Sequence, residues 1–129
     1  MGKIGSHVAR IASLGFQMKV IAFDLYPNEE LAKELNFQYV SMEELLEQSD
    51  VITLHCPLNK HTEHMINKDA IAKMKDGVGI INTSRGGILH TGDVLDAVKS
   101  GKIGHLALDV LENEKDIKEN EEIMTYPNI

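Results

Sequence analysis

Apolar positions along this chain fall into two rhythms: stripes at helical spacing, and short unbroken apolar runs of strand length. Ile4, Val8, Ile11, Ala12 and Leu14 make a helical stripe over the stretch running through Ser6–Leu14, with Gly15 as its stop. Met18–Asp24 reads as a buried strand ending in a carboxylate. The pattern then predicts a helix over Pro27–Leu35, a short strand over Phe37–Val40, and a helix opened by the capping box at Ser41–Glu44 and running through Gln48. Asp50–Leu54 is the next strand, and Asn67 caps a helix over Lys68–Met74. Asp76-Gly77 turns the chain into a strand at Val78–Ile81. Thr91 is expected to cap a helix over Asp93–Lys99, and Leu106–Asp109 is the last clear strand. Lys115–Ile129 is acidic and weakly patterned. Helices alternating with buried strands predict an α/β fold, a doubly wound parallel sheet.

Composition narrows the function classes. A chain of 129 residues suffices for one domain with a core. The formal net charge of -7 gives no electrostatic footprint for nucleic acid. No apolar run approaches the ~20 residues of a membrane-spanning helix, so no membrane partner is expected. One cysteine, Cys56, excludes an internal disulfide and suits a reducing, cytoplasmic setting. No signal peptide is recognised before the first helix. Met1–Ser6 fits a loose myristoylation pattern, but both of its glycines have a structural reading that takes precedence.

Candidate chemistry lies in two stretches. In Gly79–Gly87 a strand breaks into Asn82-Thr83-Ser84, then Arg85, then two glycines. Ligands of open parallel sheets sit outside the carboxyl ends of the strands. A guanidinium there suits a carboxylate or phosphate held by two oxygens, although a solvated loop arginine has the same appearance. Near the start, Gly2-Lys3-Ile4-Gly5 supplies the G-x-x-G part of a dinucleotide fingerprint. Gly2 would let backbone approach a pyrophosphate, Gly5 would let the helix pack closely, and the helix N-terminus offers free N–H groups. Asp24 lies 19 positions after Gly5, close to the ~20 expected of an acid that binds the adenosine ribose. An ordinary helix start and strand-end Asp remain the bland alternative. His61 and His64 are three apart, but no further ligand lies nearby in sequence; they read as surface histidines, and no metal site is expected.

Taken together, GKIG, VIAFD, DVITLHCPL, HMIN, INTSRGG, SGKIG and LALDVLENE resemble the NAD-binding domain of the D-isomer-specific 2-hydroxyacid dehydrogenases, and within them the D-lactate dehydrogenases more than the phosphoglycerate branch. The resemblance runs over most of the chain. It implies a Rossmann-type domain with NAD as cofactor: residues 1–129 as a partial NAD-binding domain, with the substrate domain, the first strand of the order 3-2-1-4-5-6 and the C-terminal strand absent. By the same resemblance Lys3 and Ile4, between Gly2 and Gly5, lie on the pyrophosphate turn, and Asp24 holds the ribose and disfavours a 2′-phosphate. Cys56, Pro57 and Thr62 line the cofactor groove. Thr83, Ser84 and Arg85 reach the nicotinamide side, and Asp109 contacts that end of the cofactor. Arg85 grips the carboxylate of a small 2-oxo or 2-hydroxy acid, and Glu114 pairs with a catalytic histidine that protonates the new alkoxide.

That histidine follows a Pro-Asn-Ile segment in the family, whereas His7, His55, His61, His64, His90 and His105 lie in other stretches. His90 and Gly92 stand where the family often has an acid and a larger residue. The expectation is a fragment of an oxidoreductase, inactive alone, that dimerises through its nucleotide domain as the family does. The alternative is a stand-alone, non-catalytic nucleotide-binding or dimerisation module; a flavodoxin-like domain fits the alternation but not INTSRGG.

Overall fold

A computed structural model describes residues 1–115 and 120–129 in full and the backbone of 117–119. The element order is α1 (Lys3–Arg10), β1 (Val20–Ala22), α2 (Glu29–Glu34), β2 (Phe37–Tyr39), α3 (Met42–Gln48), β3 (Val51–Leu54), α4 (Lys68–Ala72), β4 (Val78–Asn82), α5 (Thr91–Lys99), β5 (Ile103–Leu108) and α6 (Ile117–Thr125). Every ladder among them is parallel. The α/β alternation and parallel pairing are those of a Rossmann-type domain.

The strands form two sheets, β1-β2 and β3-β4-β5. Each has its own core. Ile52, Ile80 and Leu106 lie in one row across the larger sheet and pack with Ile71, Val94 and Val98 from α4 and α5. Ala22 and Phe37 pack with Ala9 from α1, Ala32 from α2 and Leu35 just past the end of α2. Strand 1 of the order 3-2-1-4-5-6 would lie between β1 and β3, and no strand among the described residues takes that place. On the larger sheet the alternation is one-sided. Val51, Thr53, Ile81, His105 and Ala107 occupy the rows between the buried ones and are exposed.

Several local expectations hold. Asn67 caps α4 by accepting from Asp69 N and Ala70 N, and Ser41 with Glu44 forms a full capping box on α3. Others are corrected. The first helix begins at Lys3, and its apolar stripe does not face the core: Ile4, Ile11 and Leu14 are exposed, while Gly5, Ala9 and Ser13 are buried. Small side chains allow close approach, and Ser13 Oγ donates to the Asn36 carbonyl at 3.0 Å. Gly15 is not a left-handed stop. The helix loosens into a π turn over Ile11–Gly15, and Gln17 carries the positive φ of 56°. α5 starts at Thr91 rather than Asp93, and its N-cap is His90, whose Nδ1 accepts from Asp93 N. The weakly patterned C-terminal stretch contains α6, anchored by buried Ile123 and Asn120.

Candidate functional site

The predicted residues gather at the carboxyl ends of the strands, in two groups. In the first, α1 starts directly after Gly2, and its first intrahelical bond runs from Ser6 N to Gly2 O at 3.0 Å. The N–H groups of Lys3, Ile4 and Gly5 therefore precede the helical ladder, and no side chain caps this end. A Cβ on Gly2 would meet nothing within 4 Å, so the approach to these donors is open. A Cβ on Gly5 would lie 3.1 Å from the Met1 side chain and 3.6 Å from His55 Cβ, which places the helix start against the end of β3. Asp24 lies two residues past β1. Its Oδ1 accepts from Tyr26 N at 2.8 Å and its Oδ2 is 3.2 Å from the terminal ammonium. Burial alone would raise its pKa, but those two donors outweigh it and the carboxyl titrates below its ordinary value. Uncapped donors beside an ionised, half-buried carboxylate fit a dinucleotide's pyrophosphate and ribose.

The second group sits on the loops that leave β3, β4 and β5. After β3, Cys56 is half-buried, and burial pushes its thiol pKa up. The following turn is closed by Thr62, whose Oγ1 donates to Pro57 O at 2.6 Å and accepts from Asn59 N at 2.9 Å. After β4, fully buried Asn82 shapes the loop. Its Oδ1 accepts from Ser84 N at 3.1 Å and Ser84 Oγ at 3.0 Å, and its Nδ2 donates to Arg85 O at 2.9 Å. Thr83 and Arg85 are exposed. Arg85 Nη1 donates to Ser84 O at 2.7 Å, and no carboxylate pairs with the guanidinium among the described residues. After β5, Asp109 N donates to Asn82 O at 3.0 Å, while Glu114 is exposed and its Oε1 lies 3.4 Å from Leu111 N.

These loops are locked together. β4 and β5 pair from Val78–Ile103 to Asn82–Leu108. A Cβ on Gly86 would fall 2.0 Å from the carbonyl carbon and oxygen of Leu111, so only glycine lets the Arg85 loop rest on the loop carrying Glu114. His64 N donates to Gly87 O at 2.9 Å and Ile66 N to Ile88 O at 3.1 Å, joining the β3 loop to the same turn. Glu112 completes the connection. Its Oε2 accepts from Thr91 N at 3.0 Å and Thr91 Oγ1 at 2.7 Å, and its Oε1 accepts from His64 Nε2. Burial would raise the Glu112 pKa; the Thr91 donors and His64 lower it further than burial raises it.

The structure thus places Arg85, Glu114, Asp109, Thr62, Thr83 and Ser84 on touching loops, and Gly2, Lys3, Ile4 and Gly5 at the start of α1 with Asp24 just past β1, Gly5 lying against His55, which Cys56 and Pro57 follow in the chain. His64 departs from the surface reading: it is half-buried, at φ 48°, and bound to Glu112. Thr91 is not the expected cap because its hydroxyl is turned to Glu112 as a donor. Gly86 and Glu112 were visible only as loop residues, since their partners come from distant segments, whereas Asn82 bonds to Ser84 and Arg85 close by in the chain. The one local signal was an Asn at a strand end two residues before a Ser, an Asx-turn pattern. Among the described residues no group of three or more His, Cys, Asp or Glu is placed to hold a metal, and no helix is long and apolar enough to cross a membrane.

The profile described as "D-isomer specific 2-hydroxyacid dehydrogenase, NAD binding domain" matches residues 1–129. A D-2-hydroxyacid dehydrogenase (NAD(+)) of Clostridioides difficile is 51% identical over 113 residues, covering 88% of this chain and 33% of that protein. The D-lactate dehydrogenase of Escherichia coli is 47% identical over 116 residues, covering 90% and 35%. The solved structure of the Aquifex aeolicus D-lactate dehydrogenase, complexed with NAD and lactic acid, matches with a TM-score of 0.84 at 44% identity, covering 97% of this chain and 37% of that one. The chain spans about a third of the length of the curated relatives it matches. Parallel strands, an open helix start with an acid beyond β1, and this match over the whole chain agree: the chain belongs to the D-isomer-specific 2-hydroxyacid dehydrogenase family, through its NAD-binding domain.

Proposed function

We propose that the chain is the NAD-binding part of an oxidoreductase that interconverts a small D-2-hydroxy acid and its 2-oxo acid, with lactate and pyruvate as the pair. The observation that carries this reading is Arg85: an exposed guanidinium without a carboxylate partner among the described residues, on a loop that touches the one bearing Glu114. The N–H groups at the start of α1 bind the pyrophosphate, and Asp24 accepts from the adenosine ribose. A 2′-phosphate beside that ionised carboxylate is repelled, which selects NAD over NADP. Cys56, Pro57 and Thr62 line the groove, and Thr83, Ser84 and Asp109 flank its nicotinamide end. When bound, the cofactor supplies or accepts the hydride. Arg85 holds the substrate carboxylate and polarises the 2-oxo group, so one carbon faces the cofactor. Glu114 orients and charges a histidine that delivers the proton.

Among the described residues no histidine touches Glu114: His64 is held by Glu112, His90 caps α5 and His55 lies against Thr53. The proton donor therefore comes from outside this set, and the 129 residues alone do not turn over. Residues 1–129 act as one cofactor-binding unit. The exposed apolar side chains of Ile4, Ile11, Leu14 and Phe16 support association of two copies, and the single thiol supports a cytoplasmic setting.

Calorimetric titration tests the reading. The chain binds NAD and binds NADP more weakly, and Asp24→Ala narrows the difference. NADP binding as tight as NAD binding refutes the role of Asp24. Pyruvate-dependent NADH oxidation at the rate of an intact relative refutes the assignment of the proton donor.

A further inference from the structure

The Glu112 carboxylate does something that neither the motif nor the proposed chemistry requires. It joins one residue from each of the three loops at the nicotinamide end. His64 belongs to the loop that also carries Thr62. Thr91 opens α5, directly after the loop carrying Arg85. Glu112 itself stands between Asp109 and Glu114. Both carboxylate oxygens are used: Oε2 by the Thr91 amide and hydroxyl, Oε1 by the His64 imidazole, which donates because an ionised carboxylate only accepts. The backbone of Glu112 is held as well, its carbonyl accepting from Asn120 Nδ2 of α6 at 2.9 Å. His64 stays in the left-handed region, which a non-glycine residue adopts only when its surroundings hold it there. Those surroundings are Gly87 O on its amide, Asn67 Nδ2 on its carbonyl, Glu112 on its ring and the edge of His90 at 4.9 Å between ring centroids. The space enclosed beneath the clasp, between Gly86, Thr91 and Leu111, is about 10 Å³, too small for a ligand. The cluster is a fastening and not a pocket.

We propose that Glu112 is a positioning residue: it sets the three loops in one arrangement before the cofactor arrives, so that the nicotinamide half of the site is preformed. This rests on the NAD-binding reading above. Preformed loops lose less conformational entropy on binding, and displacing them weakens every contact they carry. Among the described residues no hydrogen bond joins the adenosine half, on α1 and β1, to Glu112, His64 or Thr91, so its affinity is independent of Glu112.

AMP and NAD are titrated by calorimetry into the 129-residue chain and into its Glu112→Ala, Glu112→Gln and Thr91→Val variants, with a thermal melt of each. AMP reports the adenosine half alone. Glu112→Ala weakens NAD by about tenfold and leaves AMP within about twofold. Glu112→Gln keeps an oxygen for the Thr91 donors and an amide for His64, and restores NAD binding to within about threefold. Thr91→Val removes one donor and weakens NAD by about threefold with AMP unchanged; it decides the matter if Glu112→Ala does not fold. NAD affinity unchanged in the Ala variant, equal losses for AMP and NAD, or a Gln variant as weak as Ala each overturns the positioning role. Failure of the wild-type chain to bind NAD overturns the cofactor reading, and the positioning role with it.

Discussion

Gly86→Ala isolates the contact between the Arg85 loop and the Glu114 loop. Gly86 is buried and its φ is not in the left-handed region, so alanine meets no backbone penalty and the cost is steric. The added Cβ would lie 2.0 Å from the Leu111 carbonyl carbon and oxygen and 2.4 Å from Glu112 N, whereas real Cβ contacts are essentially never under 3.0 Å. The Leu111-Glu112 peptide must withdraw by about 1 Å, against a packing cost of about 1–3 kcal/mol. That shift also stretches the 2.7 Å and 3.0 Å bonds between Glu112 and Thr91, and charged hydrogen bonds of this kind contribute about 1.5–3 kcal/mol. Alanine's stiffer unfolded chain offsets about 0.4–1 kcal/mol. The net expectation is a loss of about 3 kcal/mol in urea unfolding followed by circular dichroism. Gly92→Ala is the control. That glycine is exposed in α5, its Cβ would meet only the His90 ring at 3.6 Å, and the variant gains about 0.5–1 kcal/mol. A Gly86→Ala chain within about 1 kcal/mol of wild type would mean that the two loops are not pressed together as described.

Other perturbations test neighbouring parts of the site. Asn82→Ala strips the partners from Ser84 N, Ser84 Oγ and Arg85 O around a fully buried position, and costs about 2–3 kcal/mol in the same unfolding assay; a loss under about 1 kcal/mol refutes its role in shaping the loop. The Glu112 carboxyl is held below its ordinary pKa, so its stabilisation is complete above the unfolded carboxylate range and disappears as pH falls through the lower folded value. Urea midpoints between about pH 3 and pH 7 therefore fall less steeply toward acid in Glu112→Gln than in wild type, and parallel curves contradict the assignment. Arg85→Ala changes stability by no more than about 0.5 kcal/mol, because among the described residues the exposed guanidinium bonds only to Ser84 O, yet it abolishes pyruvate binding to the chain saturated with NADH; retained binding refutes the substrate-gripping role.

Much of the fold was legible because it is written in local periodicity. The apolar runs at Asp50–Leu54, Val78–Ile81 and Leu106–Asp109 fall where strands form, and the caps at Ser41 and Asn67 involve partners within three residues. What escaped depends on partners distant in sequence. The stripe on α1 looked like a core face, but the interface selected Gly5, Ala9 and Ser13, whose small size matters more than their hydropathy. α6 hangs on Ile123 among acidic neighbours, too sparse a signal for periodicity. Thr91 satisfied every local rule for a cap until a carboxylate 21 residues away recruited its hydroxyl. The site residues were visible as motifs, and Asn82 carried a local Asx-turn signal, while Gly86 and Glu112, which arrange those motifs, showed no sign of their partners.

The division into two sheets has a mechanical consequence. Asp24 rides on one hydrogen-bonded layer and Arg85 on another, and among the described residues no ladder rung crosses between them, so the distance separating those side chains is compliant. A dinucleotide stretched from one to the other would act as a strut, lending the assembly a rigidity its own backbone does not supply. Amide protons of Val20–Ala22 should then exchange sooner than those of Ile80 in the free chain, and the gap should narrow once NAD spans the seam.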